Sequence, residues 1–476
     1  MTTGMQFWDF EVWSFIVEFA VLLAGMMIAN MLRRTIKPLR QSLIPSSVIG
    51  GFLVLAVTSV LKTMDIHIFQ VFTLEILTYH GLGLGFVALA LKTEERRKSK
   101  EANKDIFNTG ITVVSTYLLH GVVGLAITLG LSYVIGNWAA GGMLLPMGYG
   151  QGPGQAYNWG NIYQNATAYP PFHGGVSFGL GIAAMGFIAS GIGGVIYLNI
   201  MKANGRIKPS ILDPEAADGD ITTEYITKKD EIALTESLDK MTVQIGLVVL
   251  TYIGAFILMY CASLGLDYLG GAAADTVKPI IWGFNFLIGT LCAILLKAVL
   301  SYCRKIKLVK REYRNNFMLN RIAGFMFDLM VVASITAIDL SAFRERSFWI
   351  PLALLCIFGA LATYFQIRIV SRKIFPEYTD ESFLALYGML TGTVSTGIIL
   401  LREADPGFET PAAKNLVYQQ LWAIVFGFPM LLLMGVAPQS MQMSWLVLAL
   451  LVVLFVAMKL LLFRSYIFKR KKLNNA

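Results

Sequence analysis

The chain has 476 residues, of which 56% are hydrophobic and only 14% charged, with a formal net charge of +9. Soluble domains carry roughly a quarter charged residues, so this composition, with a mean hydropathy of +0.62, excludes a water-soluble globular protein. The four cysteines (Cys261, Cys292, Cys303, Cys356) lie in or beside apolar runs with no CxxC spacing, which argues against a disulfide framework or a zinc site.

A bilayer core needs about 20 consecutive apolar residues to be crossed by a helix. Such runs fall at 13–32, 43–62, 74–92, 107–135 and 174–201, and resume at 241–263, 279–301, 319–342, 348–370, 414–436 and 443–464. The first run has no basic n-region before it and no small-residue cleavage site after it, so it reads as a retained helix. The predicted fold is an all-α polytopic membrane protein of eleven spans.

Two further segments, 139–160 and 383–401, are apolar at their edges and polar within. The first contains Gly148–Gly160, reading GYGQGPGQAYNWG, and the second Leu390–Gly397, reading LTGTVSTG. Glycine permits positive φ and close backbone approach, and Pro153 lacks a donor, so a helix should unwind in each. Irregular backbone at membrane depth is tolerated only where protein or a watery cavity satisfies it.

Each half of the chain has the same order: four spans, one interrupted segment, one span. This organises the chain as a first repeat at 1–201, a polar linker at 202–240, a second repeat at 241–436, and an extra span with a basic tail at 437–476. Five spans is an odd number, so the second repeat is expected to be inverted relative to the first. Gly/Pro-interrupted segments at matching places in two halves point to the binding site of a secondary transporter.

Lys and Arg fix the orientation. With the N-terminus outside, the inner loops hold Arg33, Arg34, Lys37 and Arg40, then Lys92, Arg96, Arg97 and Lys98, then the linker and the run from Arg304 to Arg314. The outer loops hold only Lys62, Lys278, Arg344 and Arg346. This asymmetry requires both interrupted segments to return to the side they came from, and it puts the C-terminus in the cytoplasm. It also disposes of nucleic acid as a partner, because the positive charge is spread over short loops facing one leaflet.

The chemistry available is that of a solute site. Gly152, Gly154, Gln155 and Asn158 of the first interruption, with Thr393, Ser395 and Thr396 of the second, are the candidate substrate ligands. Gln151, Thr391, Gly392 and Gly397, together with Asp328, are candidates for ion coupling. Neutral oxygens and exposed carbonyls suit a sodium ion, and half-helix N-termini suit a carboxylate. The alternative for both stretches is close helix packing through small residues.

Asp328 in the eighth span is an intramembrane acid and so a functional candidate, with a packing role beside Arg321 as the alternative. Lys297 and Lys459 are read as snorkelling to the inner surface. Glu18, His80 and His120 are read as packing residues. No Walker loop, HExxH or nucleophile–base pair occurs, so no enzyme activity and no cofactor is expected. Gly148-Tyr149-Gly150 has a potassium-filter look, but Pro146-Met147 before it and the repeated architecture place a channel last.

Four motifs resemble the bacterial sodium:glutamate symporter family. They are Ile44-Pro45-Ser46-Ser47-Val48-Ile49-Gly50-Gly51, the stretch Gly152–Gly160, the glycine-rich run Gly179–Gly194, and Asn320-Arg321-Ile322-Ala323-Gly324. The resemblance covers most of residues 13–436. It implies inverted five-span repeats with re-entrant segments, scaffold and transport parts, and sodium-coupled glutamate uptake by an elevator-like movement in a homodimer of the bacterial inner membrane. Pro153 and Gln155 stand where the family has His and Thr, and TGTVSTG replaces an Ala-Thr-Pro-Thr-Ala run. The expected activity is therefore a sodium-coupled symporter of glutamate or a related small carboxylate. A proton-coupled exchanger or exporter of another organic anion, with Asp328 as proton carrier, is the alternative.

Overall fold

The computed structural model describes residues 6–93, 100–206, 239–270, 272–308 and 311–464. Most of the polar linker, residues 94–99 with Arg96, Arg97 and Lys98, and the tail beyond 464 lie outside the described residues. The chain is an all-α polytopic membrane protein, with eleven helices among the described residues long and apolar enough to cross a bilayer.

In chain order the helices of the first half are α1 (Phe10–Thr35), α2 (Lys37–Gln41), α3 (Ser46–Thr63), α4 (Val71–Leu91) and α5 (Lys100–Ile135). They continue with α6 (Leu145–Gln151), α7 (Pro153–Gln164) and α8 (Gly175–Ala203). The second half has α9 (Lys240–Leu269), α10 (Ala272–Gly283), α11 (Asn285–Lys305), α12 (Asn316–Thr336) and α13 (Arg346–Ile374). It ends with α14 (Thr379–Thr391), α15 (Val394–Arg402), α16 (Ala412–Tyr418), α17 (Gln420–Val436) and α18 (Met441–Leu462).

Local chemistry explains several of these boundaries. Asp239, Asn315 and Ser440 cap α9, α12 and α18 by accepting backbone N–H groups of the first turn. The seventh span begins at Asn285 rather than at 279, because the chain turns at Phe284 between α10 and α11. The tenth span likewise bends at Gln419, between α16 and α17.

Two compact units are present, and they cut across the sequence halves. The first comprises Met1–Ile28, Gly50–Arg97 and Asp220–Ala337, and the second Ala29–Ile49, Lys98–Gly219 and Ile338–Ala476. The first three spans of each half belong mainly to unit 1. The remaining two spans and the interrupted segment of each half belong to unit 2, and α18 joins them.

Unit 1 packs α4 against α11 and α12, around Val87, Leu91, Val248, Leu319 and Ile322. A second cluster gathers Leu22, Val54, Leu74, Leu329 and Val332. Polar ties inside this unit satisfy groups that lipid cannot. Tyr79 donates to the Trp282 carbonyl (2.7 Å), and Asn285 donates to Tyr79 O (3.0 Å) and to the Tyr252 hydroxyl (2.9 Å). His80 lies 3.1 Å from that same hydroxyl, and the buried Glu18 accepts from Gln70 N at 3.0 Å. Lys297 donates to the Lys92 carbonyl at 3.3 Å.

Candidate functional site

Unit 2 contains both interrupted segments, and each is a helical hairpin. The first runs through a short 3-10 turn (Ala139–Leu144), α6, a break at Gly152, and α7. Its two ends lie side by side. The Trp138 indole stacks on Phe172 (4.7 Å between centroids, 3° between planes) and sits 5.0 Å from the Tyr163 ring. Phe172 N then donates to Tyr163 O, and Gly175 N to Phe172 O, both at 2.9 Å, which joins this base to the N-terminus of α8.

The second hairpin is α14, a break at Gly392–Thr393, and α15. Its arms touch through backbone, since a Cβ on Gly388 would lie 2.7 Å from Gly397 Cα. Small residues are what let two helices approach so closely. Its base lies at the other end of α8. Asp380 accepts from the Tyr197 hydroxyl (2.7 Å) and from Arg206 (3.2 Å). Tyr378 donates to Asp105 (2.7 Å) and accepts from Asn415 (3.0 Å). Burial and the bond to Asp105 hold the Tyr378 phenol well above its ordinary range, so it remains a donor. Burial also pushes up Glu403, just past α15, against the pull of Lys202, Arg33 and Arg402.

The 29-residue helix α8 is about 43 Å long. The hairpins lean on it from opposite ends, and their breaks meet near its middle. A Cβ on Gly186 of α8 would collide with the Thr391 carbonyl and lie 3.0 Å from the Tyr149 ring. A Cβ on Gly152 would lie 2.9 Å from Thr393 Cγ2 and 3.7 Å from Gly392 O. Gly152 also has φ +79°, which favours glycine, and Pro153 supplies the fixed φ with which α7 restarts.

Each break therefore sets a helix C-terminus beside a helix N-terminus. The last turns of α6 and α14 bring carbonyl oxygens and a negative dipole end. The first turns of α7 and α15 bring amide N–H groups and a positive end, and neither N-terminus is capped by a side chain. Such a junction can hold a cation on its carbonyl side and a carboxylate on its amide side.

Of the residues nominated from sequence, Gln151, Gly152, Gly154, Gln155, Asn158, Thr391, Gly392, Thr393, Ser395, Thr396 and Gly397 all lie at or within two turns of these breaks. Gln155 is 1% exposed, and neither its Oε1 nor its Nε2 has a hydrogen-bond partner among the described residues. A buried amide left so costs about 1–3 kcal/mol, and such groups in native proteins call for an explanation. Asn158 and Thr396 are buried, Thr393 half-buried and Ser395 exposed. Thr396 Oγ1 lies 3.3 Å from Thr393 Oγ1, and Thr391 donates to its own helix at Tyr387 O (2.7 Å).

Asp328 does not belong to either hairpin. It lies on α12 in unit 1, on an exposed face with Arg321, Gly324 and Phe325, and the Arg321 guanidinium lies over the Phe317 ring. Lys459 does not simply reach for the surface: its ammonium donates to Gln366 Oε1 at 2.5 Å, and Gln366 donates to Ser115 at 3.2 Å.

Sequence reasoning placed Tyr149 in the first interruption without its partner, and missed Tyr117 altogether. Tyr117 of α5 donates to the Gly150 carbonyl (2.9 Å), and Tyr149 of α6 donates to Cys356 O of α13 (2.6 Å). In the second hairpin Tyr387 donates to Ala189 O of α8 (3.1 Å). Nothing in a linear apolar run marks which phenol will find a carbonyl. His120 is fully buried beside Tyr149, with Nε2 2.6 Å from Thr363 Oγ1. A recess of about 470 Å³ beside the base of the first hairpin is lined by Trp138, Phe172, His173, Glu345 and Gln439 among others, and by none of the nominated residues.

Compared with known proteins, the chain matches no protein-family model, no curated protein and no solved structure.

Proposed function

We propose that the protein is a sodium-coupled secondary active transporter, a symporter of glutamate or a related small carboxylate. The observation that carries this reading is the meeting of two oppositely directed hairpins at Gly152 and Thr393, where two uncapped half-helix N-termini converge beside the unpartnered amide of Gln155.

In this reading the hairpins are re-entrant segments of inverted repeats. Sodium binds the carbonyl ends of α6 and α14 with hydroxyls such as Thr391 and Thr393, and Gln151 lies close by. Its charge offsets the cost of bringing a carboxylate into a low-dielectric site. The carboxylate takes the amides at the starts of α7 and α15, with Gln155, Asn158, Ser395 and Thr396 supplying side-chain contacts. Gly154, Gly392 and Gly397 keep the backbone approachable. Because both hairpins belong to one compact unit, that unit can carry the loaded site as a body between the two faces of the membrane.

The test is uptake of radiolabelled glutamate, aspartate and dicarboxylates into proteoliposomes of the full chain. Uptake driven by an inward sodium gradient, and absent with potassium in its place, is expected. Equal uptake without sodium but with a proton gradient would transfer the reading to a proton-coupled carrier.

A further inference from the structure

The eleventh span, α18, has no counterpart in the repeated order of the two halves. Its C-terminal turn gathers cations around aromatic rings. The ammonium groups of Lys459 and of Lys373 from α13 both lie over the Phe463 ring, 5.4 and 5.7 Å from its centroid, and Lys459 also lies 5.5 Å from Phe455. One residue further on, the Arg464 guanidinium sits over Phe107 of α5 at 5.0 Å and donates to Asn108 Oδ1 (3.3 Å) and Leu461 O (2.8 Å).

Among the described residues no carboxylate lies within ion-pair distance of Lys459 or Arg464. Lys459 is half-buried, and its one hydrogen-bond partner is a neutral amide oxygen, which leaves ammonium hydrogens for another acceptor. An anion placed beside two ammonium groups that share one ring is attracted by both. At the end of a spanning helix, on the side that the Lys and Arg distribution assigns to the cytoplasm, the anion at hand is the phosphodiester of an acidic phospholipid. Basic clefts between spanning helices on that side hold such headgroups.

We infer that Lys373, Lys459 and Arg464 form a phosphate site that clamps an acidic phospholipid headgroup against α5, α13 and α18. The Phe463 and Phe107 rings orient the cations, and the Lys459–Gln366–Ser115 chain fixes the inner wall of the site. The same oxyanion chemistry could be met by free phosphate, so the test separates the two sources.

The full chain in nanodiscs of pure phosphatidylcholine is compared with nanodiscs containing about 30% phosphatidylglycerol, and with the former plus millimolar inorganic phosphate. The midpoint of thermal unfolding is read in each. Phosphatidylglycerol is expected to raise the midpoint by several degrees, and phosphate to leave it unchanged. In K373Q/R464Q, which leaves the Lys459–Gln366 bond intact, the rise should shrink by about half or more. K459R should preserve it. An undiminished rise in K373Q/R464Q, or no rise in the wild type, overturns the proposal. A rise produced equally by free phosphate would make this a soluble-oxyanion site and overturn its assignment to lipid.

Discussion

Gly152 and Thr393 come from opposite halves of the chain and meet at the tips of two hairpins, so closely that a methyl on Gly152 would stand 2.9 Å from Thr393 Cγ2. Alanine there would also be strained at φ +79°. Gly152→Ala is expected to cost about 1–3 kcal/mol of stability and to reduce transport at least about tenfold. Adding Thr393→Ser, which removes the offending methyl, should restore part of the transport but not the cost of the strained backbone. Uptake rates and unfolding midpoints of the single and double variants check this. A double variant no better than Gly152→Ala would mean that the tips do not limit each other.

Gln155 offers a sharper test, because its amide is buried with no hydrogen-bond partner among the described residues. Gln155→Leu keeps the volume and removes the unsatisfied groups. The variant is expected to be more stable than the parent in the absence of ligand, by about 1–3 kcal/mol, yet to lose the stabilisation that sodium and substrate confer. Thermal shift with and without both ligands reads the two effects together. A destabilised variant would show that Gln155 is held by contacts the site reading does not include.

Tyr117 stands behind the first hairpin and not in its break. Tyr117→Phe frees the Gly150 carbonyl in the last turn of α6 and should cost about 1 kcal/mol, with a weaker apparent affinity for sodium and a smaller change in maximal rate. Sodium titration of uptake distinguishes this from a general loss of fold.

Asp328 lies in the unit that does not hold the hairpins. Asp328→Asn is therefore expected to leave sodium-driven uptake within about twofold of the parent, since a neutral substitution outside the site shifts little. Abolished uptake with intact folding would favour the proton-coupled alternative.

Outside the membrane, Glu312 anchors the loop before α12. Its carboxylate accepts from Arg314 Nε and a terminal nitrogen (2.8 and 3.1 Å) and from Arg304 (3.1 Å). Burial, the largest single influence, pushes the carboxyl up, yet the bonds and charges of Arg314 and Arg304 together outweigh it and hold it below its ordinary value. A carboxyl lowered on folding stabilises above its unfolded pKa, and that contribution fades as the pH falls through the folded value. Unfolding midpoints measured through the acid range should fall less steeply in Glu312→Gln than in the parent.

The spans and their interruptions were legible in the chain because they are local properties. A run of apolar residues must be helical in lipid, and Gly152-Pro153 or Thr391-Gly392-Thr393 must unsettle a helix wherever it lies. The clustering of nominated residues at the two breaks follows from that, since they were chosen from the same stretches. Other features depend on which helix becomes whose neighbour, and no local signal carries that. Residues 150 and 117 are 33 positions apart, and 149 and 356 are 207 apart, yet each pair is joined by one phenol. The same holds for Lys459, whose ammonium meets Gln366 of another helix. Hydrophobic length and backbone chemistry thus settled what crosses the membrane and where it breaks. Only tertiary packing decided which atoms of the two breaks touch, which carbonyls are held, and that Gln155 has no hydrogen-bond partner among the described residues at their junction.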